Sequence, residues 1–187
     1  YFCPKFYAWV NSLIPNKFQQ GLVNSMDHPR VVLPFFDVNN NMFAFQGRAF
    51  GKEEPRYITI KLDENKRRIY GLDRLDVNKK VYVVEGPIDS LFLPNAIAAA
   101  GADLNITLPN AVYILDNEPR NKQIVDKIQQ LIFKNKKVCI FPKSLKHKDI
   151  NDMVMAGMSV AEIRTIIDSN TFSKLSAQQQ LNNFKEV

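Results

Sequence analysis

Three groups of carboxylates stand out because each lies in, or just after, the loop that follows an apolar run. They are Glu85 with Asp89 after VYVV, Asp116 with Glu118 after VYIL, and Asp149 with Asp152 beyond KVCIF. Asp116 and Glu118 are two residues apart and point the same way on an extended chain, whereas Asp89 follows Glu85 by about one helical turn. Carboxylates crowded together without His or Cys form a hard-oxygen site suited to Mg²⁺ or Mn²⁺, ions that bridge carboxylates to phosphates. Such a site suits phosphoryl or nucleotidyl transfer. Taken singly, each pair reads as readily as a solvated loop or a helix cap, since Asp and Glu favour helix N-termini. Three pairs in the same position after three strands point instead to a shared site.

The elements that would carry these acids follow from the hydrophobic rhythm. After DVNKK, short β-branched or alanine-rich runs (VYVV, AIAAAG, VYIL, KVCIF) alternate with helical stretches: PIDSLFL, a stripe of Ile124, Ile128, Leu131 and Ile132, and VAEIRTIID behind a Ser159/Glu162 capping box. This alternation predicts βαβ units and a parallel sheet, whose strand-end loops converge at the carboxyl edge. Upstream, Phe2, Phe6, Trp9, Val10 and Leu13 have helical spacing before Pro15. VVLPFF and MFAFQGRAF read as two strands joined by a turn at Asp37 and Asn39–Asn41, with RYITIKL and RRIYGL as two further strands. The fold class expected is α/β, with a mixed α+β part before a mostly parallel sheet. The divisions expected are 1–78, 79–170 and a tail, 171–187, whose QQQLNN reads as a frayed end that can be helical.

Composition narrows the classes. The 187 residues carry 25 Lys and Arg against 19 Asp and Glu, a net charge of +6 that favours an anionic partner. Cys3 and Cys139 are far apart and form no CxxC pair, so neither a disulfide framework nor a zinc site is expected within the chain. No run of about 18 apolar residues and no signal-peptide pattern occurs, so a soluble protein with no membrane partner is expected. His28 and His147 are isolated from any Ser or Cys at motif spacing, Cys139 reads as a core residue, and no GxxxxGK[ST] is present. A catalytic triad and an ATP-hydrolysing loop are thereby disfavoured.

The strings VYVVEGPIDSLFLPNAIAAAG, VYILDNEPRN and KHKDINDMV resemble the Toprim domain shared by bacterial-type primases, topoisomerases and certain nucleases. LPFFDVNNNMFAFQGRAF, PRYITI and IYGLDRL resemble the segment preceding Toprim in primases, and EGPIDSLF, LDNEPR and KDINDM are similar to primases of T-even-type phages. The resemblance runs from about Trp9 to about Ile167 and departs from the bacterial pattern at Asp116-Asn117-Glu118 and at Asn151, where an aspartate is usual. It implies a Toprim fold and a primase catalytic core that makes short RNA primers, with Glu85, Asp116 and Glu118 as catalytic metal ligands. Asp89 and Asp149 would support them, Asp152 would be more peripheral, and Asn151 would be the least secure ligand. The cofactor implied is Mg²⁺ or Mn²⁺, more than one ion.

Further implications concern partners. Arg48, Arg56, Tyr57 and Lys61 resemble the basic ridge that holds template and nucleotide phosphates, with Tyr57 or Tyr70 as a stacking face. Lys66, Arg67 and Arg68 read equally well as a solvated face. Arg120 reads either as a phosphate ligand or as a partner of a cluster carboxylate. Single-stranded DNA, ribonucleoside triphosphates and a hexameric replicative helicase are the implied partners, in the cytoplasm of a phage-infected bacterium. Starting at Tyr1, the chain reads as a catalytic core without the upstream zinc domain of such primases. A Toprim nuclease or topoisomerase-like strand cleaver, and a non-catalytic nucleic-acid or helicase-docking module, are the alternative readings.

Overall fold

The computed structural model describes residues 1–101, 104 and 106–187. Contacts divide the chain into two units, Tyr1–Arg67 and Arg68–Val187. The first is a four-stranded antiparallel sheet in chain order, β1 (Phe2–Cys3), β2 (Arg30–Phe36), β3 (Met42–Ala49) and β4 (Tyr57–Lys61). Alternation along the strands places Val32, Phe45 and Ile60 against Phe6 and Val10 of helix α1 (Phe6–Leu13). The β2–β3 turn forms where expected: the Asp37 Oδ1 accepts from the backbone N–H groups of Asn39 and Asn41, and Asn40 takes a left-handed conformation that Asn tolerates. Pro34, which has no N–H for a ladder, lies beyond the two-residue β1, where β2 is paired with β3 alone.

The second unit holds a five-stranded sheet in the order β6-β5-β7-β8-β9: β5 (Val81–Val84), β6 (Ala96–Ala98), β7 (Ala111–Ile114), β8 (Lys137–Cys139) and β9 (Thr171–Phe172). Only β9 is antiparallel to its neighbour. Helices α3 (Pro87–Leu91), α4 (Lys122–Phe133), α5 (Ile150–Met155), α6 (Val160–Ser169) and α7 (Lys174–Phe184) complete it. The stripe of Ile124, Ile128, Leu131 and Ile132 on α4 is buried with Val81, Val83, Tyr113 and Val138 of the sheet. The capping box at Ser159 and Glu162 forms as the sequence predicts. The fold is therefore α/β with a mostly parallel sheet, preceded by a smaller antiparallel one.

The chain departs from expectation in four places. The N-terminal helix starts only at Phe6, because Phe2 and Cys3 pair with β2 and Pro4 intervenes. Helix α2 (Gln20–Met26) is unexpected; none of its residues is fully buried, and its Val23 packs partly buried against the core. RRIYGL makes no strand: Gly71, at φ +91°, turns the backbone into a 3-10 turn at Leu72–Arg74, and only Tyr70 bridges to Ala98. That bridge ties the segment from Arg68 onward to the second unit. The tail is also not frayed. Phe172 pairs with β8, and Ala177, Leu181 and Phe184 on α7 are buried in the same core as α4.

Candidate active site

Strand β5 runs to β6 on one side and has β7 on the other, so a crevice opens at the carboxyl ends of β5 and β7, where the strand order reverses. Val84 is level with Ile114, and Ile114 with Cys139, so the loops leaving β5, β7 and β8 rise side by side. A narrow cleft there is lined by Glu85, Asp89, Asp116 and Asp149 over a floor of Val84, Ile114, Leu115, Phe141 and Ile150. Four acids expected at one site from their positions after strands thus line one cleft. Glu118 stands beside it, because the Lys148 ammonium reaches both Asp116 Oδ2 (3.6 Å) and Glu118 Oε1 (3.4 Å).

Local structure sets each acid. Pro87 occupies the first turn of α3, which brings Asp89 back over Gly86; a Cβ on Gly86 would sit 2.6 Å from the Asp89 Oδ2. The other Asp89 oxygen accepts the Asn151 backbone N–H at 2.9 Å, linking α3 to the start of α5. Asn151 contributes this backbone group to the site. Asp149 is the N-cap of α5, accepting from the Asp152 N–H at 2.8 Å, and the exposed Asp152 accepts from the Lys148 N–H.

Electrostatics mark the cleft as over-supplied with negative charge. Burial, joined by the charges of Glu85, Asp149 and Asp89 and opposed by Lys148, pushes Asp116 up to about 7. Burial also raises Asp89 to about 6, with the Asn151 N–H opposing and Asp149 and Asp152 adding to the rise. Desolvation works against the Lys148 ammonium, yet Asp116 and Glu118 hold its pKa above the ordinary lysine value. Six carboxylates (Glu85, Asp89, Asp116, Glu118, Asp149, Asp152) meet the two ammonium groups of Lys127 and Lys148. An oxygen-only donor set with this charge excess fits a hard divalent cation. As the side chains stand, no three His, Cys, Asp or Glu among the described residues approach closely enough to hold an ion.

Three site residues carried no sequence signal. Lys127 pairs with Glu85 from α4. Lys148 comes from the loop before α5. Asn117 is the staple of that loop: its N–H donates to the Lys148 carbonyl at 2.6 Å, and its Nδ2 donates to the Leu145 and His147 carbonyls at 3.0 Å each. Arg120 pairs with Glu186 at 2.9 Å, while the Glu186 N–H donates to the Pro119 carbonyl. Among the described residues it pairs with no carboxylate of the cluster.

In the first unit, Arg48, Arg56 and Tyr57 lie together. Arg48 and Tyr57 face each other across β3 and β4, the Arg48 Nε donates to the Tyr57 hydroxyl (3.1 Å), and the Arg48 and Arg56 guanidinium groups each lie 5.9 Å from the Tyr57 ring centroid. Arg30, buried at 1% exposure, donates to the carbonyls of Gly47, Pro55 and Arg56, and so fixes the backbone that presents Arg56 and Tyr57. Lys61 pairs with Glu64 (3.0 Å), and Lys66 with Asp37 (2.5 Å). No helix is long and apolar enough to cross a membrane among the described residues.

Comparison with known proteins gives a consistent picture. No family model matches the chain. It is 33% identical over 194 residues to the DNA primase of Enterobacteria phage T4, a match that takes in all of this chain and 55% of that protein. Among solved structures, it is similar to the RNA polymerase domain of Mycobacterium tuberculosis primase DnaG (TM-score 0.61, 16% identity, 88% of this chain and 67% of that one). It is also similar to a DnaG primase catalytic domain bound to single-stranded DNA (TM-score 0.58, 17% identity, 82% of this chain and 54% of that one). The chain spans about half the length of the curated relative it matches. The chain is therefore similar along its whole length to part of a phage DNA primase, and it has the fold of bacterial primase catalytic cores.

Proposed function

We propose that the chain is the catalytic core of a DNA primase, joining ribonucleotides into short primers on single-stranded DNA during phage replication in the bacterial cytoplasm. The observation that carries this reading is the meeting of acids from the loops after β5, β7 and β8 in one cleft whose charge exceeds its own counter-ions. Glu85, Asp116 and Glu118 are the first ligands for Mg²⁺ or Mn²⁺, with Asp89 and Asp149 beside them. When bound, such ions lower the pKa of a primer 3′-hydroxyl and neutralise the triphosphate of the incoming nucleotide. The chain's own work is positional: the Asn117 staple and the Asp89–Asn151 link hold the loops in register, and Lys148 sets the charge at Asp116 and Glu118. On the other unit, Arg48 and Arg56 hold template phosphates without reading sequence, and Tyr57 offers a stacking face. A hexameric helicase is the partner this reading implies.

Replacing Glu85 or Asp116 by Ala in the intact protein should abolish ribonucleotide incorporation on a single-stranded template while the far-ultraviolet circular dichroism stays unchanged. Wild-type incorporation by either variant, or Mn²⁺-dependent strand cleavage by the wild type in place of incorporation, would overturn the assignment.

A further inference from the structure

Lys127 lies on α4, outside the acidic loops, and its Nζ sits 2.5 Å from Glu85 Oε1. The two groups form an ion pair in direct contact. Lys148, by contrast, stands off from its two carboxylates at 3.4 and 3.6 Å. A carboxylate oxygen engaged by an ammonium is less available to a divalent cation, because both positive charges compete for the same oxygen. The helix that bears Lys127 is held by its buried neighbours Ile124, Ile128 and Leu131, so the backbone stays fixed. The lysine side chain is about half exposed, and its flexible stem can carry the ammonium into solvent with no change in the helix.

We propose that Lys127 is the exchangeable counter-ion of this acidic cleft: its ammonium neutralises Glu85 in the empty protein and leaves when a divalent cation enters. The inference rests on the metal-site reading above. It accounts for an ammonium from α4 reaching over to a carboxylate that lines the cleft with Asp89, Asp116 and Asp149. With the ammonium in place, Glu85 is held to α4; with the ammonium gone, its carboxylate is free to turn toward Asp116. Lys127 is thus a positioning residue that sets metal affinity, and it touches neither nucleotide nor primer in this role.

The test is Mn²⁺ binding to the intact protein, read from the electron paramagnetic resonance signal of free Mn²⁺ at fixed ionic strength, without nucleotide. Lys127→Met should tighten binding by about fivefold or more, the scale of coupling between mutually exclusive ligands. Lys122→Met, which removes an equal charge from the same helix, should leave affinity within about twofold. Glu85→Gln should weaken binding, and in that background Lys127→Met should have no further effect, because the oxygen contested by the two cations is gone. Lys127→Gln, which keeps a polar surface on α4, should repeat the Met result if Lys127→Met compromises folding. Unchanged or weaker binding in both Lys127 variants, tightening equal to that of Lys122→Met, or tightening that persists with Glu85→Gln would each overturn the inference and leave the metal site standing. No specific Mn²⁺ binding by the wild type, or no weakening by Glu85→Gln, would overturn the metal-site reading itself.

Discussion

Asp116→Asn should make the metal-free protein more stable, although it removes a residue proposed for the chemistry. The Asp116 carboxyl rises from 3.8 to about 7, first because it is buried and then because Glu85, Asp149 and Asp89 surround it. At about 1.4 kcal/mol per pH unit, that rise sets an upper bound of about 4 kcal/mol on the cost of ionising it in the folded state. The side chain keeps 24% of its exposure, and solvent screening brings the figure down to about 2 kcal/mol. The sign follows from proton binding: the folded chain holds this proton more tightly than the unfolded one, so stability declines as pH rises from about 4 to about 7. Below that window the cost is absent, and above it the cost is complete. The lost Lys148 contact subtracts little, since the pair is 3.6 Å apart and half exposed on the lysine side. Urea unfolding with a chelator present should give the variant an advantage of about 2 kcal/mol at pH 8 that shrinks to nothing near pH 4. An Asp116→Asn variant no more stable than wild type at pH 8, or one with the same advantage at pH 4, would refute the account of a cleft strained by its own charge.

Leu181→Ala on α7 should cost about 3 kcal/mol in urea unfolding, because the side chain is fully buried beside α4 and the strand core. Asn117→Ala should cost about 1 to 2 kcal/mol through the two carbonyls it leaves without donors, and should weaken Mn²⁺ binding in a direct titration as the loop at 145–148 loosens. Arg48→Gln and Arg56→Gln should each lower the slope of log affinity against log salt for single-stranded DNA by about 0.7, measured by fluorescence anisotropy.

Much of the second unit was legible because its elements follow simple periods. Short β-branched runs became β5, β7 and β8, and the Ile124 to Ile132 stripe became the buried face of α4. Acids that follow such strands are collected by a parallel sheet, so the sequence positions of Glu85, Asp89, Asp116 and Asp149 already place them along one edge. Their counter-ions were hidden for the opposite reason. Lys127 reaches Glu85 across 42 positions of sequence, and a lysine on a polar helix face looks the same whether or not a carboxylate waits above it. Asn117 also escaped notice, because its staple depends on where the backbone of Leu145 and His147 passes, a matter of tertiary placement with no local pattern. The misread pieces, RRIYGL and the tail, turned on single features: one glycine at positive φ, and three apolar residues spaced along a polar helix.

The contact of Glu186 with Pro119 and Arg120 has a practical use for spectroscopy. It brings the last residues of the chain to the loop that carries Asp116 and Glu118, where the Glu186 N–H meets the Pro119 carbonyl at 2.9 Å. A single probe attached at Val187 would therefore report from beside the acidic edge without altering any residue of the cleft. Paramagnetic Mn²⁺ in the cleft would quench a fluorophore or broaden a nuclear resonance there, and a label at the exposed Phe133, at the far end of α4, would serve as the control.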